Sequence, residues 1–137
     1  MKNHNYGLSA DLNLPFEVAV NAITGALKTE GFGILTEIDV QATLKKKLDV
    51  PFRRYLILGA CNPPLAYEAL QNEREIGLLM PCNVIVYEDD AGKTVVSIAD
   101  PQAMVAITGA PALAAMADKA RNKLARALAA LPETAPA

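Results

Sequence analysis

Two copies of a Cys-Asn pair, each with a proline beside it, are the residues of this chain best suited to chemistry. The copies are Cys61-Asn62, followed by Pro63, and Cys82-Asn83, preceded by Pro81. The chain has only 2 cysteines, and both lie in these pairs. A cysteine thiol can act as a nucleophile, a redox group or a ligand for soft metals, and asparagine offers a donor and an acceptor on a short arm. The repeated pair therefore predicts a site.

Each residue of the pairs also has a purely structural interpretation. Cys61 is predicted at the end of a strand and just before a helix, where the helix dipole would favour the thiolate. Free cysteine is nevertheless among the most buried residue types, and Asn62 could simply cap the helix. Cys82 follows a proline that interrupts a strand, so a bulge there could turn its thiol towards Cys61. Two pairs are harder to explain by packing than one, and this favours a shared pocket.

Glu37 is a further candidate. Ile34, Thr36 and Ile38 occupy one face of its predicted strand, which leaves Glu37 on the other face, close to where a helix begins. It could instead be exposed, or pair with Arg53 or Arg54. Adjacent arginines on a strand point to opposite faces, which disfavours an anion site built on that pair. The candidate ligand-binding residues are Cys61, Asn62, Cys82, Asn83 and Glu37, and the candidate metal ligands are Cys61 and Cys82.

The elements that must position these residues follow from the hydrophobic pattern. Alternation from Tyr6 to Leu12 predicts a strand, and the apolar stripe from Phe16 to Leu27 predicts a helix that ends at Gly31 in a left-handed cap. Strands are predicted at 33–38, 55–58 and 76–87, the last broken at Pro81, with short helices beginning at Asp39 and after Asn62. A hairpin joins residues 84–87 to 94–98, and a long amphipathic helix lies between Pro111 and Pro132. The predicted order is βαβαβαββα.

Composition indicates one ordinary globular domain, assigned to residues 1–132, with a flexible tail at 133–137. Hydrophobic residues make up 52% of the chain and charged residues 20%, so a core should form without metal or disulfides. A formal net charge of -2 and the absence of tryptophan argue against a nucleic-acid surface. The N-terminus does not read as a signal peptide, and no apolar run reaches the roughly 18 residues of a membrane span. We therefore expect a cytoplasmic protein with no nucleic-acid or membrane partner, in which a disulfide between the cysteines would be transient.

Four motifs in the same order resemble the prokaryotic family known as domain of unknown function 302. They are GFG with TEIDV at 31–40, LGACNP at 58–63, GLLMPCN at 77–83 and DP at 100–101. The resemblance covers nearly the whole chain. It implies an α+β domain whose mainly antiparallel sheet is covered by helices, similar to the TATA-binding-protein-like fold, and it implies homodimers. It implies no particular reaction.

Three hypotheses for function remain. The first is a pocket around the two pairs that binds a soft metal ion or a small molecule. The second is a thiol enzyme or redox sensor in which Cys61 attacks and Cys82 resolves. The third is a structural or dimerisation module without a ligand, whose motif only shapes the fold. For the homodimer that the resemblance implies, the first choices of interface are a sheet edge and the segment 78–81. The only histidine, His4, is predicted in a mobile N-terminus, so no complete catalytic constellation is evident and the enzyme question stays open. Two cysteines also fall short of a closed zinc site unless another ligand completes it, so the only cofactor considered is a soft metal ion.

Overall fold

The computed structural model describes residues 1–133 as a six-stranded sheet with helices. The strands are β1 (Lys2–His4), β2 (Gly7–Leu12), β3 (Gly33–Asp39), β4 (Tyr55–Cys61), β5 (Cys82–Glu88) and β6 (Thr94–Ala99). The helices are α1 (Phe16–Thr29), α2 (Val40–Leu48), α3 (Pro63–Asn72), α4 (Pro101–Thr108) and α5 (Ala114–Ala129), with 3-10 turns at Arg74–Leu79 and Pro111–Leu113. Within residues 1–133, no helix combines the length and hydrophobicity that crossing a bilayer requires.

All neighbouring strands pair antiparallel, in the order β1-β2-β6-β5-β4-β3. One face of the sheet is apolar because alternate residues of the central strands, such as Leu8, Leu58 and Val86, are buried on it. Helices α1 and α5 cover this face and contribute Ile23 and Leu124 to the same core. The sheet confirms the predicted α+β class.

Local signals explain where the helices begin and end. Asp39 caps α2 by accepting a hydrogen bond from the amide of Ala42 at 2.9 Å, as expected for an aspartate at this position. Gly31 follows α1 with φ of 86°, which confirms the predicted left-handed glycine after this helix.

The structure adds two elements to the predicted order. Lys2–His4 forms an edge strand against β2, so the expectation that His4 lies in a mobile N-terminus is wrong. The exposed residues of β1 give no hydrophobic alternation by which it could be recognised. Helix α4 follows Asp100, whose side chain accepts a hydrogen bond from the amide of Gln102 at 2.9 Å.

One predicted range changes, and another lies largely outside the described residues. The segment from Ile76 to Met80 is a 3-10 turn followed by an extended residue, and the strand begins only at Cys82. Among the residues of this turn only Ile76 is buried, so packing does not favour a strand there. The predicted tail at 133–137 lies outside the described residues except for Glu133, which forms an isolated bridge with Leu12.

Candidate functional site

The two Cys-Asn pairs meet at one end of the sheet. Strands β4 and β5 are neighbours, and their register places Ala60 opposite Cys82 and Gly59 opposite Asn83. Cys61 is therefore one position beyond the partner of Cys82. The structure thus brings the two motifs side by side.

A cavity of about 270 Å³ opens at this end of the sheet. Its walls come from the ends of β4 and β5, from α3, α4 and α5, and from the 3-10 turn at Arg74–Leu79. All four residues of the pairs line it: Cys61, Asn62, Cys82 and Asn83. The remaining lining is mostly aliphatic, with Leu65 and Ala69 of α3 as examples.

Close packing beside Gly59 fixes the relative position of the two motifs. A Cβ atom at Gly59 would overlap Thr36 Oγ1 and would lie 2.7 Å from Pro81 Cγ. The ring of Pro81 therefore packs directly against β4 at this point. Only glycine leaves enough room for the proline beside the strand.

Cys82 lies in an apolar environment. Burial raises the pKa of its thiol to about 11, and the nearby Cys61 acts in the same direction. Alternation places Cys82 on the same face of the sheet as Ala60, which is buried under the helices. At neutral pH Cys82 is a protonated thiol.

Asn62 is engaged in the architecture of the domain. Its Oδ1 accepts a hydrogen bond from the amide of Leu65 at 3.3 Å and caps α3. Its Nδ2 donates to the carbonyl of Glu30 at 3.4 Å, next to Gly31, where a Cβ would lie 2.9 Å from that nitrogen. The side chain thus ties the start of α3 to the end of α1.

Asn83 has a different environment. It is exposed, and it lines both the cavity and a separate cleft on the other face of the sheet. Its side chain is therefore accessible to solvent where the cavity and the cleft meet.

Glu37 lies on the edge strand β3, opposite Leu58, and is exposed. It is not among the residues that line the cavity. The two arginines considered as its partners bind elsewhere: Arg53 pairs with Asp90, and Arg54 pairs with Glu17. The structure does not bring Glu37 together with the two Cys-Asn pairs.

Three methionines join the cysteines around the cavity: Met80, Met104 and Met116. The chain has 4 methionines and 2 cysteines, and five of these six residues line this one space. The sequence pattern did not indicate that the methionines meet, because Met104 lies on α4, Met116 on α5 and Met80 in the segment before β5. Only the position of Met80 directly before Pro81 could have suggested one of them. Among residues 1–133, no group of three or more His, Cys, Asp or Glu side chains is arranged to bind a metal ion.

The family model described as "Domain of unknown function DUF302" matches residues 8–131. A crystal structure of an uncharacterized conserved protein DUF302 from Bacillus stearothermophilus has a TM-score of 0.84 and 28% sequence identity, and the match covers 90% of this chain and 95% of that one.

Curated relatives with partial matches are fluoride-specific ion channels. FluC 1 of Brucella suis is 29% identical over 83 residues, which is 60% of this chain and 32% of the relative. FluC 2 of Brucella melitensis is also 29% identical over 83 residues, or 30% of its own length. The matched segment thus spans about a third of the length of these relatives.

Proposed function

The chain belongs to the DUF302 family. We propose that it binds a compact, mostly apolar molecule in the cavity at the end of the sheet. The observation that carries this proposal is the 270 Å³ space lined by both Cys-Asn pairs and otherwise mainly by aliphatic and sulfur-containing residues. Ligand pockets typically combine such a lining with a few polar groups that orient the ligand.

The volume limits the size of the ligand. An engineered apolar cavity of about 150 Å³ accepts benzene, so 270 Å³ has room for about two fused rings. The amide of Asn83 at the rim supplies a polar contact for one edge of the ligand.

The sulfur atoms favour an aromatic ligand within this size. Methionine side chains adapt to irregular shapes, and sulfur makes favourable contacts with aromatic rings. Met80 precedes β5, Met104 lies on α4 and Met116 lies on α5, so they offer such contacts from several sides. A one- or two-ring aromatic molecule therefore suits the cavity best.

Indole is a suitable probe for this proposal. We expect calorimetry to show indole binding to the native protein and at least tenfold weaker binding to Ala66→Leu, since Ala66 lines the cavity and a larger side chain would occupy it. Ala115→Leu is the matched control, because Ala115 is exposed on α5 and does not line the cavity. Equal indole binding by both variants, or none by the native protein, would contradict the proposal.

A soft metal ion is the second candidate, favoured by the five sulfur-containing residues around one space. Thiolate and thioether ligands select Cu(I) over harder ions. The high pKa of Cys82 opposes this binding, because the ion must first displace the thiol proton.

A competition titration of Cu(I) against a chromophoric chelator under anaerobic conditions tests the metal. We expect Cys61→Ser, Cys82→Ser and Met104→Leu each to weaken binding if the ion is held by sulfur, since serine and leucine are far poorer ligands. If the native protein fails to compete with the chelator, this candidate is removed and the indole experiment is unaffected.

Thiol redox chemistry ranks third. Thiolates are the attacking species, and a pKa of about 11 keeps Cys82 protonated at neutral pH, which leaves Cys61 as the attacking group. In the reducing cytoplasm that the sequence predicts, a bond between the two would be transient. Rapid, peroxide-dependent loss of titratable thiol in the native protein, abolished by Cys61→Ser, would raise this candidate above the other two.

A homodimer is the proposed assembly. Leu78, which is 82% exposed at the cavity, lies in the segment 78–81 that the sequence offers as an interface. We expect light scattering to give twice the mass of 14.6 kDa for the native chain and the monomer mass for Leu78→Asp. A native monomer at micromolar concentration would contradict this assembly.

A further inference from the structure

A second cleft lies on the face of the sheet opposite α1 and α5. It has a volume of about 590 Å³ and extends from β1 across β2, β6 and β5 to Tyr55 of β4. The strand register places Ser9 opposite Ser97 and Ser97 opposite Ile85, so these residues form a row across its floor.

Polar side chains connect along this floor. His4 Nε2 lies 3.1 Å from Ser9 Oγ and 3.5 Å from Ser97 Oγ, and the two hydroxyl oxygens are 2.9 Å apart. Each hydroxyl can donate and accept, and a neutral imidazole has one donor and one acceptor nitrogen. The group can therefore match either donors or acceptors on one edge of a ligand.

Aromatic rings flank the polar floor. Tyr55 and Tyr87 stack with ring centroids 5.4 Å apart and an interplanar angle of 13°. On the other side His4 and Tyr6 meet edge to face, with centroids 5.1 Å apart. Burial raises the pKa of the Tyr55 hydroxyl, and the nearby Tyr87 and Tyr6 hydroxyls act in the same direction, which is consistent with the two aromatic pairs facing a common space.

Apart from the ionisable His4, the cleft is lined by uncharged side chains. None of its lining residues in the described part of the chain is Lys, Arg, Asp or Glu. A charged ligand would lose hydration here without a compensating ion pair, whereas a neutral ligand would exchange water for hydroxyl, imidazole and amide partners.

We infer that this cleft is a binding site for an uncharged heteroaromatic molecule about the size of a purine base. Its ring would pack against the aromatic walls, and its polar edge would bind Ser9, Ser97 and His4. Such an arrangement combines the stacking of a base on aromatic side chains with hydrogen bonds at one edge of the ring. A monosaccharide fits less well, because its hydroxyl groups point outward around the whole ring while the polar groups of the cleft lie along its floor.

This site can be tested separately from the proposed apolar cavity. The two spaces share Asn83, Ala99 and Met104 at their boundary. Tyr87 and Ser97 line only the cleft, so variants at these positions test it without altering the walls of the cavity.

Adenine is the probe, titrated by calorimetry into the full chain at neutral pH. We expect Tyr87→Leu to weaken adenine binding about tenfold or more, since it removes a stacking surface. Ser97→Ala should weaken binding about threefold through the loss of one hydrogen bond. Tyr67→Leu is the control, because Tyr67 is exposed on α3 and lines neither space.

Circular dichroism establishes that each variant is folded before it is compared. Failure of the native protein to bind adenine up to its solubility limit would overturn the inference. It would also be overturned if Tyr87→Leu and Ser97→Ala both bound adenine like the native protein, or if glucose bound in place of adenine. Ala66→Leu should leave adenine binding unchanged, so failure of the cavity and failure of the cleft are distinguishable.

Discussion

The two Cys-Asn pairs have the same sequence and opposite environments. In the first pair the asparagine is the anchored residue, since Asn62 is 8% exposed and joins α3 to the end of α1. In the second pair burial raises the pKa of Cys82, while Asn83 is exposed. The strand register explains the difference, because Cys82 pairs with Ala60 and the two motifs are out of phase by one residue. A repeated dipeptide thus does not imply a repeated role.

Substitution at the contact between the two motifs should have the largest effect on the free energy of unfolding. We expect Gly59→Ala to lower the free energy of unfolding by about 3 kcal/mol, because its Cβ would overlap Thr36 and Pro81. Urea denaturation measures this change. Gly25→Ala is the matched control: a Cβ added there on α1 would meet no atom of another element within 4 Å, so it should stabilise the protein by about 0.5–1 kcal/mol. A loss below about 1 kcal/mol for Gly59→Ala would mean that β4 and Pro81 separate easily.

Alkaline pH should distinguish the two cysteines. A raised pKa in the folded state means that the contribution of Cys82 to stability is complete below the unfolded pKa of about 9 and is lost as pH rises to about 11. The expected loss is on the order of 2 kcal/mol, measured by urea denaturation across this range. Cys82→Ala should remove most of that loss.

Cys61→Ala provides the comparison for the alkaline experiment. Burial is the main cause of the raised pKa of Cys82, so this variant should keep most of the pH dependence. Equal behaviour of the two alanine variants would show that the environments of the two thiols are alike.

The two asparagines should differ by a smaller amount. We expect Asn62→Ala to cost about 1–2 kcal/mol, since it removes the cap of α3 and the bond to the Glu30 carbonyl. Asn83→Ala should remain within about 0.5 kcal/mol of the native protein, as is usual for an exposed position. Thermal or urea denaturation of the two variants side by side measures the difference, and a larger cost for Asn83→Ala would reverse the assignment of roles.

Local signals in the sequence predicted the parts of the fold that depend on local chemistry. The left-handed glycine at Gly31, the cap at Asp39 and the proline-initiated helix after Asn62 all follow from short-range preferences. The hairpin indicated that the sheet is not purely parallel, and the family resemblance implied that it is mainly antiparallel, as the pairing of the strands confirms. Strand β1 could not be recognised in the same way, because each of its residues is exposed.

Only part of the site could be predicted from the sequence, because its residues come together through tertiary packing. The cavity joins residues from several elements, so the position of Met104 and Met116 near Cys82 depends on how α4 and α5 pack on the sheet. Likewise, His4 meets Ser97 only through the pairing of β1, β2 and β6. The spacing of residues along the chain therefore does not predict these contacts.

The distribution of tyrosines makes the open face of the sheet observable by fluorescence. The chain has no tryptophan and 4 tyrosines, and three of these line the cleft: Tyr6, Tyr55 and Tyr87. Three of the four tyrosine fluorophores therefore lie at the cleft, and none of the tyrosines lines the apolar cavity. A change in tyrosine emission intensity or anisotropy would report mainly on the cleft within the unlabelled protein, because no tyrosine lines the cavity at the end of the sheet.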